Sequence, residues 1–132
     1  MRRSTFLVIT GIIATLFGGM MFFLPGMVAE GFGSVSTPFS TFLMREIGLI
    51  ILCSGVLNFL VRNATDSMPL KAILIFNMVY HVTMIPIVLI GVTNGVFTID
   101  KSLGGLAAHL FIGIGSLIYF MKIKIASSSP YE

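Results

Sequence analysis

Residues 37–62, TPFSTFLMREIGLIILCSGVLNFLVR, decide the fold: a long apolar run with an arginine and a glutamate set inside it. Thr37 and Pro38 are the residue types that commonly cap a helix and occupy its first turn. The 24 residues that follow Thr37 are enough to cross the ~30 Å hydrocarbon core of a bilayer at 1.5 Å per residue. This stretch therefore predicts a membrane-spanning helix over 38–61 with two adjacent charges inside it.

The composition of the whole chain agrees with a membrane protein. Of 132 residues, 56% are hydrophobic and only 10% are charged, and the mean hydropathy is +1.04. A soluble domain of this size needs a charged surface that so few charges cannot supply. We therefore predict one transmembrane domain over 1–132 whose main surroundings are the lipid bilayer.

The net charge of +3 does not point to nucleic acid. The basic residues stand singly or in pairs near the ends of apolar segments, and no basic patch with interleaved aromatic residues is present. That distribution is typical of residues that orient membrane helices. Nucleic acid is not expected as a partner.

Three further apolar segments predict helices over about 5–24, 70–91 and 102–122. With 38–61 they predict an all-α, integral membrane four-helix bundle. The first segment is longer than the hydrophobic region of a signal peptide, so we expect it to be retained. Pro86 lies inside the third helix, where it removes a backbone hydrogen bond and should kink the helix.

Small residues recur on one face of the first helix. Gly11, Thr15 and Gly19 are spaced every four residues, which predicts that another helix approaches closely along this face. The glycine- and serine-containing segment 26–36 that follows is predicted to be a loop, or a loop with a short interfacial turn.

The basic residues also predict an orientation. Four spans place both termini on one side, and that side has six basic residues against one on the other. The six are Arg2, Arg3, Arg62, Lys71, Lys122 and Lys124, and the one is Lys101. By the positive-inside rule both termini are expected in the cytoplasm.

Arg45 and Glu46 are the charged residues within a span, and such residues are costly in lipid and often functional. They lie seven and eight residues after Pro38, roughly 10–12 Å into the helix. Adjacent helix residues point about 100° apart, so the two pair poorly with each other. Arg45 is long enough to reach lipid phosphates. Glu46 is too short, so we expect it to face the bundle or to be protonated.

The two histidines are the expected partners of these charges. His109 lies seven residues into the fourth predicted helix, whereas His81 lies near the midplane of the third, so their depths are expected to be unequal. Asn77 precedes His81 by one turn and shares its face. Together these positions predict a candidate ligand-binding cluster of Arg45, Glu46, Asn77, His81 and His109.

Three interpretations of this cluster stay open. It can be a structural polar network that fixes helix register. It can bind a small lipophilic molecule such as a quinone through its histidine and arginine side chains. In the third, His81 and His109 are axial ligands of a haem. The chain favours no cofactor among these, and passage of an ion or solute through a small transporter is a further alternative.

A complete catalytic set is not apparent in the sequence. Cys53 is the single cysteine, Glu46 is the single carboxylate within a predicted span, and no serine lies in a nucleophile motif. The histidines, cysteine and carboxylates do not show the spacing of a zinc site. No catalytic residue and no metal site beyond the haem alternative is therefore predicted, and the chain is expected not to be an enzyme.

Arg45-Glu46-Ile47-Gly48 is followed by Gly55 and Asn58 in the same predicted helix, and His81 and His109 stand in the later helices. This pattern carries a resemblance to the DoxX-like group of small four-helix bacterial membrane proteins. It covers about 38–119 and implies a four-helix bundle in a bacterial inner membrane. Some DoxX-like proteins are subunits of membrane oxidoreductases, which implies membership of a complex and leaves quinone chemistry open. This chain supplies no redox centre of its own.

Little mass lies outside the predicted spans, glycines favour close helix packing, and no catalytic set is complete. We therefore expect a non-catalytic accessory or assembly subunit that packs against other membrane protein subunits or against itself. The alternative is a quinone- or haem-binding membrane redox protein.

Overall fold

The structure, a computed structural model, describes residues 1–124 and places them in five α-helices. The helices are α1 Arg3–Phe23, α2 Pro25–Gly31, α3 Pro38–Val61, α4 Met68–Thr93 and α5 Ile99–Lys122. All but α2 are long and apolar enough to cross a membrane. The prediction of an all-helical fold with four candidate membrane spans is confirmed, whereas the side of the membrane that the termini face stays a prediction.

Local sequence signals explain where these helices begin. The hydroxyl of Thr37 accepts a hydrogen bond from the backbone N–H of Ser40, and the Ser40 hydroxyl accepts one from the N–H of Thr37. This reciprocal cap begins α3 at the predicted residue. Helix α5 begins three residues before its predicted start, because Thr98 is the extended N-cap residue and its carbonyl oxygen accepts from the Ser102 hydroxyl. The loop predicted over 26–36 contains the short helix α2.

Helices α1 and α3 pack backbone against backbone through glycines. A Cβ atom on Gly18 would lie 2.5 Å from the backbone nitrogen of Leu52 and 2.7 Å from the carbonyl oxygen of Gly48. A Cβ atom on Gly48 would in turn lie 2.7 Å from the backbone nitrogen of Phe22. Farther along the pair, Gly55 leaves equally little room beside Thr15. Only glycine allows the helices to come this close.

The predicted small-residue face of α1 is correct at Gly11 and Thr15 but shifted at its third position. Gly18 makes the close contact, whereas a Cβ atom on Gly19 would meet only a side-chain carbon of Leu52, at 3.9 Å. Gly18 lies seven residues after Gly11, which is almost two full helical turns. Gly19 lies eight residues after Gly11 and is rotated about 80° past that face. The contact face therefore runs from Gly11 to Gly18.

Helices α4 and α5 form a second tight pair, in which Gly113 packs against Val82. The two pairs meet mainly at the end of the bundle where α1 begins and α5 ends, here called the basic end. There the Phe6 ring fills the space left by Gly115 and contacts the Tyr119 ring at a centroid distance of 5.1 Å. The fully buried apolar core lies around it and consists of Phe6, Leu7, Leu70, Leu74 and Ile112. At the far end, the loop between α2 and α3 meets the loop between α4 and α5 through the rings of Phe32 and Phe97.

Polar contacts also hold the basic end together. The Arg3 guanidinium forms an ion pair with Asp66 and donates a hydrogen bond of 2.8 Å to the carbonyl oxygen of Ala64. The backbone N–H of Lys124 donates to the other Asp66 oxygen at 2.9 Å. That N–H and then the Arg3 guanidinium hold the pKa of Asp66 below its usual value of 3.8. The start of α1, the α3–α4 turn and the end of α5 thus meet at one carboxylate.

The glycine contact predicts the effect of one added methyl group. Gly18→Ala should lower the free energy of unfolding by about 2 kcal/mol, because its Cβ atom would overlap backbone atoms that cannot move independently. Gly104→Ala is the matched control, since a Cβ atom there would meet nothing within 4 Å. It should leave stability unchanged or slightly raised. Denaturant unfolding in detergent micelles measures both, and equal effects of the two substitutions would show that this contact is not close.

Candidate functional site

Three of the five predicted site residues lie together in the interior. The Nδ1 atoms of His81 and His109 are 2.8 Å apart, across the α4–α5 contact. His81 is buried at 9% exposure and His109 is half-buried. Asn77 lies one turn of α4 before His81 and is fully buried. These side chains form a polar layer inside an otherwise apolar bundle.

The histidines lie at the same level, which corrects the expectation of unequal depth. Because α5 begins at Ile99, His109 is ten residues into the helix instead of seven. Helix α4 extends to Thr93, so His81 is twelve residues from the same far end. The two rings therefore face each other directly.

Direct contact between the rings decides what they can bind. A neutral imidazole has one N–H and one acceptor nitrogen, so one ring donates and the other accepts in the His81–His109 contact. Two histidine nitrogens on opposite sides of one metal ion would stand about 4 Å apart. The observed 2.8 Å leaves no space for an iron between them. In this arrangement the residues present do not fit the haem alternative.

Asn77 does not contact the histidine pair through a hydrogen bond but joins α4 to α3. Its amide donates to the Asn58 side-chain oxygen at 2.8 Å, and Asn58 donates both back to Asn77, at 3.4 Å, and to the Ser54 carbonyl oxygen, at 2.8 Å. Both asparagines are fully buried. The reciprocal amide pair satisfies groups that would otherwise be costly in the interior, and so fixes how α3 and α4 pack.

Three interior hydroxyl groups were not predicted as site residues from the sequence. Thr10 and Ser116 are fully buried. Their hydroxyl oxygens and that of Thr15 have no hydrogen-bond partner among residues 1–124. Serine and threonine are ordinary residues in membrane helices, so their sequence positions gave no signal.

Arg45 and Glu46 are not part of this interior layer. Both are exposed, and among residues 1–124 neither side chain forms a hydrogen bond or an ion pair. The reason lies in α3: Gly48 must face α1, and Glu46, two residues earlier, points about 160° away from that contact. The structure therefore separates the predicted cluster into an interior histidine–asparagine layer and an outward charged pair.

The surface beside Glu46 contains an open apolar groove of about 520 Å³ between α3 and α4. It is lined by Leu49, Ile50, Cys53, Ser54, Leu57, Ala72, Ile73 and Phe76. A second open groove, between the start of α1 and α5, includes Phe6 and Tyr119. Neither groove is lined by His81, His109 or Asn77, although Ser54 in the first groove donates a hydrogen bond of 3.5 Å to the Asn77 side-chain oxygen.

The interior groups thus hold one another, while the charges point outward. Within residues 1–124, no three histidine, cysteine or carboxylate side chains lie close enough together to hold a metal ion. Comparisons of the chain with models of protein families, with curated proteins and with solved structures found no match.

A double-mutant cycle tests the contact between the histidines. His81→Ala and His109→Ala should each destabilise the protein, and the double variant should lose about 1 kcal/mol less than the sum, because one interhelical hydrogen bond is removed in all three. Unfolding in detergent micelles gives the free energies.

The control cycle combines His109→Ala with Asn58→Ala, two residues that share no hydrogen bond. Those effects should add within about 0.5 kcal/mol. Equal, near-zero coupling in both cycles would mean that the histidines do not meet.

Proposed function

We propose that this chain is a non-catalytic accessory or assembly subunit that packs against a larger membrane complex. One observation carries the proposal: Arg45 and Glu46 lie on the exposed side of a membrane-length helix and have no partner among residues 1–124. Exposed charges inside a span require something to cover them, and a second membrane protein can supply the opposite charge.

The depth of the charges supports this proposal. At roughly 10–12 Å from the start of α3, a charged side chain faces lipid at a cost of up to about 3 kcal/mol. The arginine can reach phosphate groups along its flexible stem, but the glutamate at the next position cannot. A protein partner that offers a hydrogen-bond donor to Glu46 removes this cost.

The interior supports the same proposal. The Asn58–Asn77 and His81–His109 contacts join α3 to α4 and α4 to α5, which is the role of a packing network. Both surface grooves are open, and their linings are mostly apolar. The charged side chains that lie well inside a candidate span and have no partner among residues 1–124 are therefore on α3.

The location belongs to the proposal as well. The excess of basic residues at the basic end supports placing both termini in the cytoplasm. The resemblance to the DoxX-like group supports a bacterial inner membrane and a place beside a membrane oxidoreductase. The partner's chemistry would then define the reaction in which this chain takes part.

The test is the composition of the particle that the chain forms in its native membrane. The tagged chain is extracted in mild detergent, its mass is measured, and its components are identified. We expect an assembly with foreign subunits, and we expect Arg45→Ala/Glu46→Ala to lose them because the outward charges are gone. Glu30→Gln, which changes an exposed carboxylate outside the four candidate spans, is the control and should retain them.

A wild-type particle of one to four copies without any other protein would overturn the proposed function. Foreign subunits that stay bound equally well to the wild type and to the double alanine variant would show that another surface holds them.

A further inference from the structure

The outward side of α3 has a regular spacing that the packing inside the chain does not use. Exposed residues recur at alternating intervals of four and three along the helix: Phe42, Glu46, Leu49, Cys53, Val56 and Leu60. The four apolar members other than Cys53 are 45% to 72% exposed. We call these six residues the α3 stripe.

Alternating intervals of four and three are the heptad spacing of helices that pack side by side with a left-handed crossing. The close contacts of α3 with α1 run along another side of the helix, through Gly48, Gly55 and the backbone at Leu52. The contact with α4 runs through Asn58. The α3 stripe therefore has the geometry of a helix–helix interface. Leu49 and Cys53 also border the open groove toward α4, but among residues 1–124 no helix packs along the whole stripe.

The charges indicate which helix fits. In heptad packing, a side chain at a stripe position that is followed by the three-residue interval, as Glu46 is, inserts among four residues of the facing helix. One of them immediately precedes the equivalent stripe position. For Glu46 facing a second copy of α3, that residue is Arg45 of the other copy. A two-fold axis makes the arrangement reciprocal, so both arginines and both glutamates are paired at once.

Membrane topology makes this match possible. Two copies inserted the same way bring the same residues to the same depth, and Arg45 and Glu46 differ in depth by only about 1.5 Å. Within one chain the two side chains point about 100° apart and cannot pair well. Across a two-fold axis, Arg45 beside the α3 stripe of one copy meets Glu46 in the α3 stripe of the other.

We propose that the α3 stripe is the surface on which a second copy of this chain docks, in a parallel dimer held by reciprocal Arg45–Glu46 ion pairs. This inference rests on the proposed function, because it names the partner that covers the outward charges. The dimer is then the unit that binds the foreign subunits, so Arg45→Ala/Glu46→Ala loses them because it no longer dimerises.

Cys53 provides a direct test, because it is the single cysteine and lies in the α3 stripe. Helix axes 8–10 Å apart bring facing Cα atoms within roughly 4–6 Å, which is the range of a disulfide. Copper-phenanthroline oxidation of native membranes should therefore give a reducible dimer on a non-reducing gel. The control is Cys53→Ala/Ile114→Cys, since Ile114 is 53% exposed and lies eight residues before the end of α5, as Cys53 does before the end of α3.

A charge exchange tests the ion pairs with the same readout. Glu46→Arg and Arg45→Glu should each weaken dimer association by roughly tenfold, because each variant places like charges across the axis. The double variant Arg45→Glu/Glu46→Arg restores opposite charges and should restore crosslinking through Cys53. Because the double variant recovers the contact, loss of crosslinking in the single variants cannot be attributed to a general failure to fold.

The inference is overturned if Cys53 crosslinks no more than the Ile114→Cys control, or if the charge exchange does not restore what the single changes remove. Its failure is distinguishable from failure of the proposed function. Foreign subunits without the Cys53 crosslink would leave the function standing and remove the dimer. The crosslink without foreign subunits would support the dimer and overturn the proposed function.

Discussion

The close contact between Gly18 and Gly48 is the constraint on which the rest of the structure depends. It brings the backbones of α1 and α3 together at a distance that no residue with a side chain permits. Because the contact fixes the rotation of α3 about its axis, it also fixes where every other residue of α3 points. Asn58 then reaches α4, and Glu46 is directed away from the chain.

A second level of order comes from polar contacts between apolar helices. In lipid, apolar side chains gain little by moving from lipid contact to protein contact, so directional hydrogen bonds help to select one packing. The Asn58–Asn77 amide pair aligns α3 with α4, and the His81–His109 contact aligns α4 with α5. At the basic end, the Asp66 carboxylate accepts hydrogen bonds from the Arg3 guanidinium and from the backbone N–H of Lys124. The asparagine pair joins two helices that the glycine contacts leave separate, whereas the histidine contact adds to the α4–α5 pair at Gly113.

The sequence was sufficient for what depends on length, composition and local capping. The four long helices follow from apolar runs of membrane length, and α3 begins at Pro38 because the Thr37–Ser40 cap is local. The predicted depth of His109 was wrong because it depended on where α5 begins. Apolar periodicity does not mark the start at Thr98 and Ile99. The outward direction of Glu46 depends on which face of α3 meets α1. That is a tertiary property, and single-sequence reasoning could name the residue but not its surroundings.

The outward direction of Glu46 and its cover by protein are tested most directly by photochemical crosslinking from Phe42, which is exposed one turn earlier on the same side of α3. A benzoylphenylalanine residue placed at position 42 and irradiated in native membranes leaves Glu46 intact and reacts with whatever lies against this side of α3. We expect adducts in which the chain is joined to another polypeptide, visible as a larger band and identified by mass spectrometry. Adducts to α4 or α5 of the same chain, or to lipid alone, would contradict the account, since Glu46 would then face the bundle or lie uncovered in the membrane.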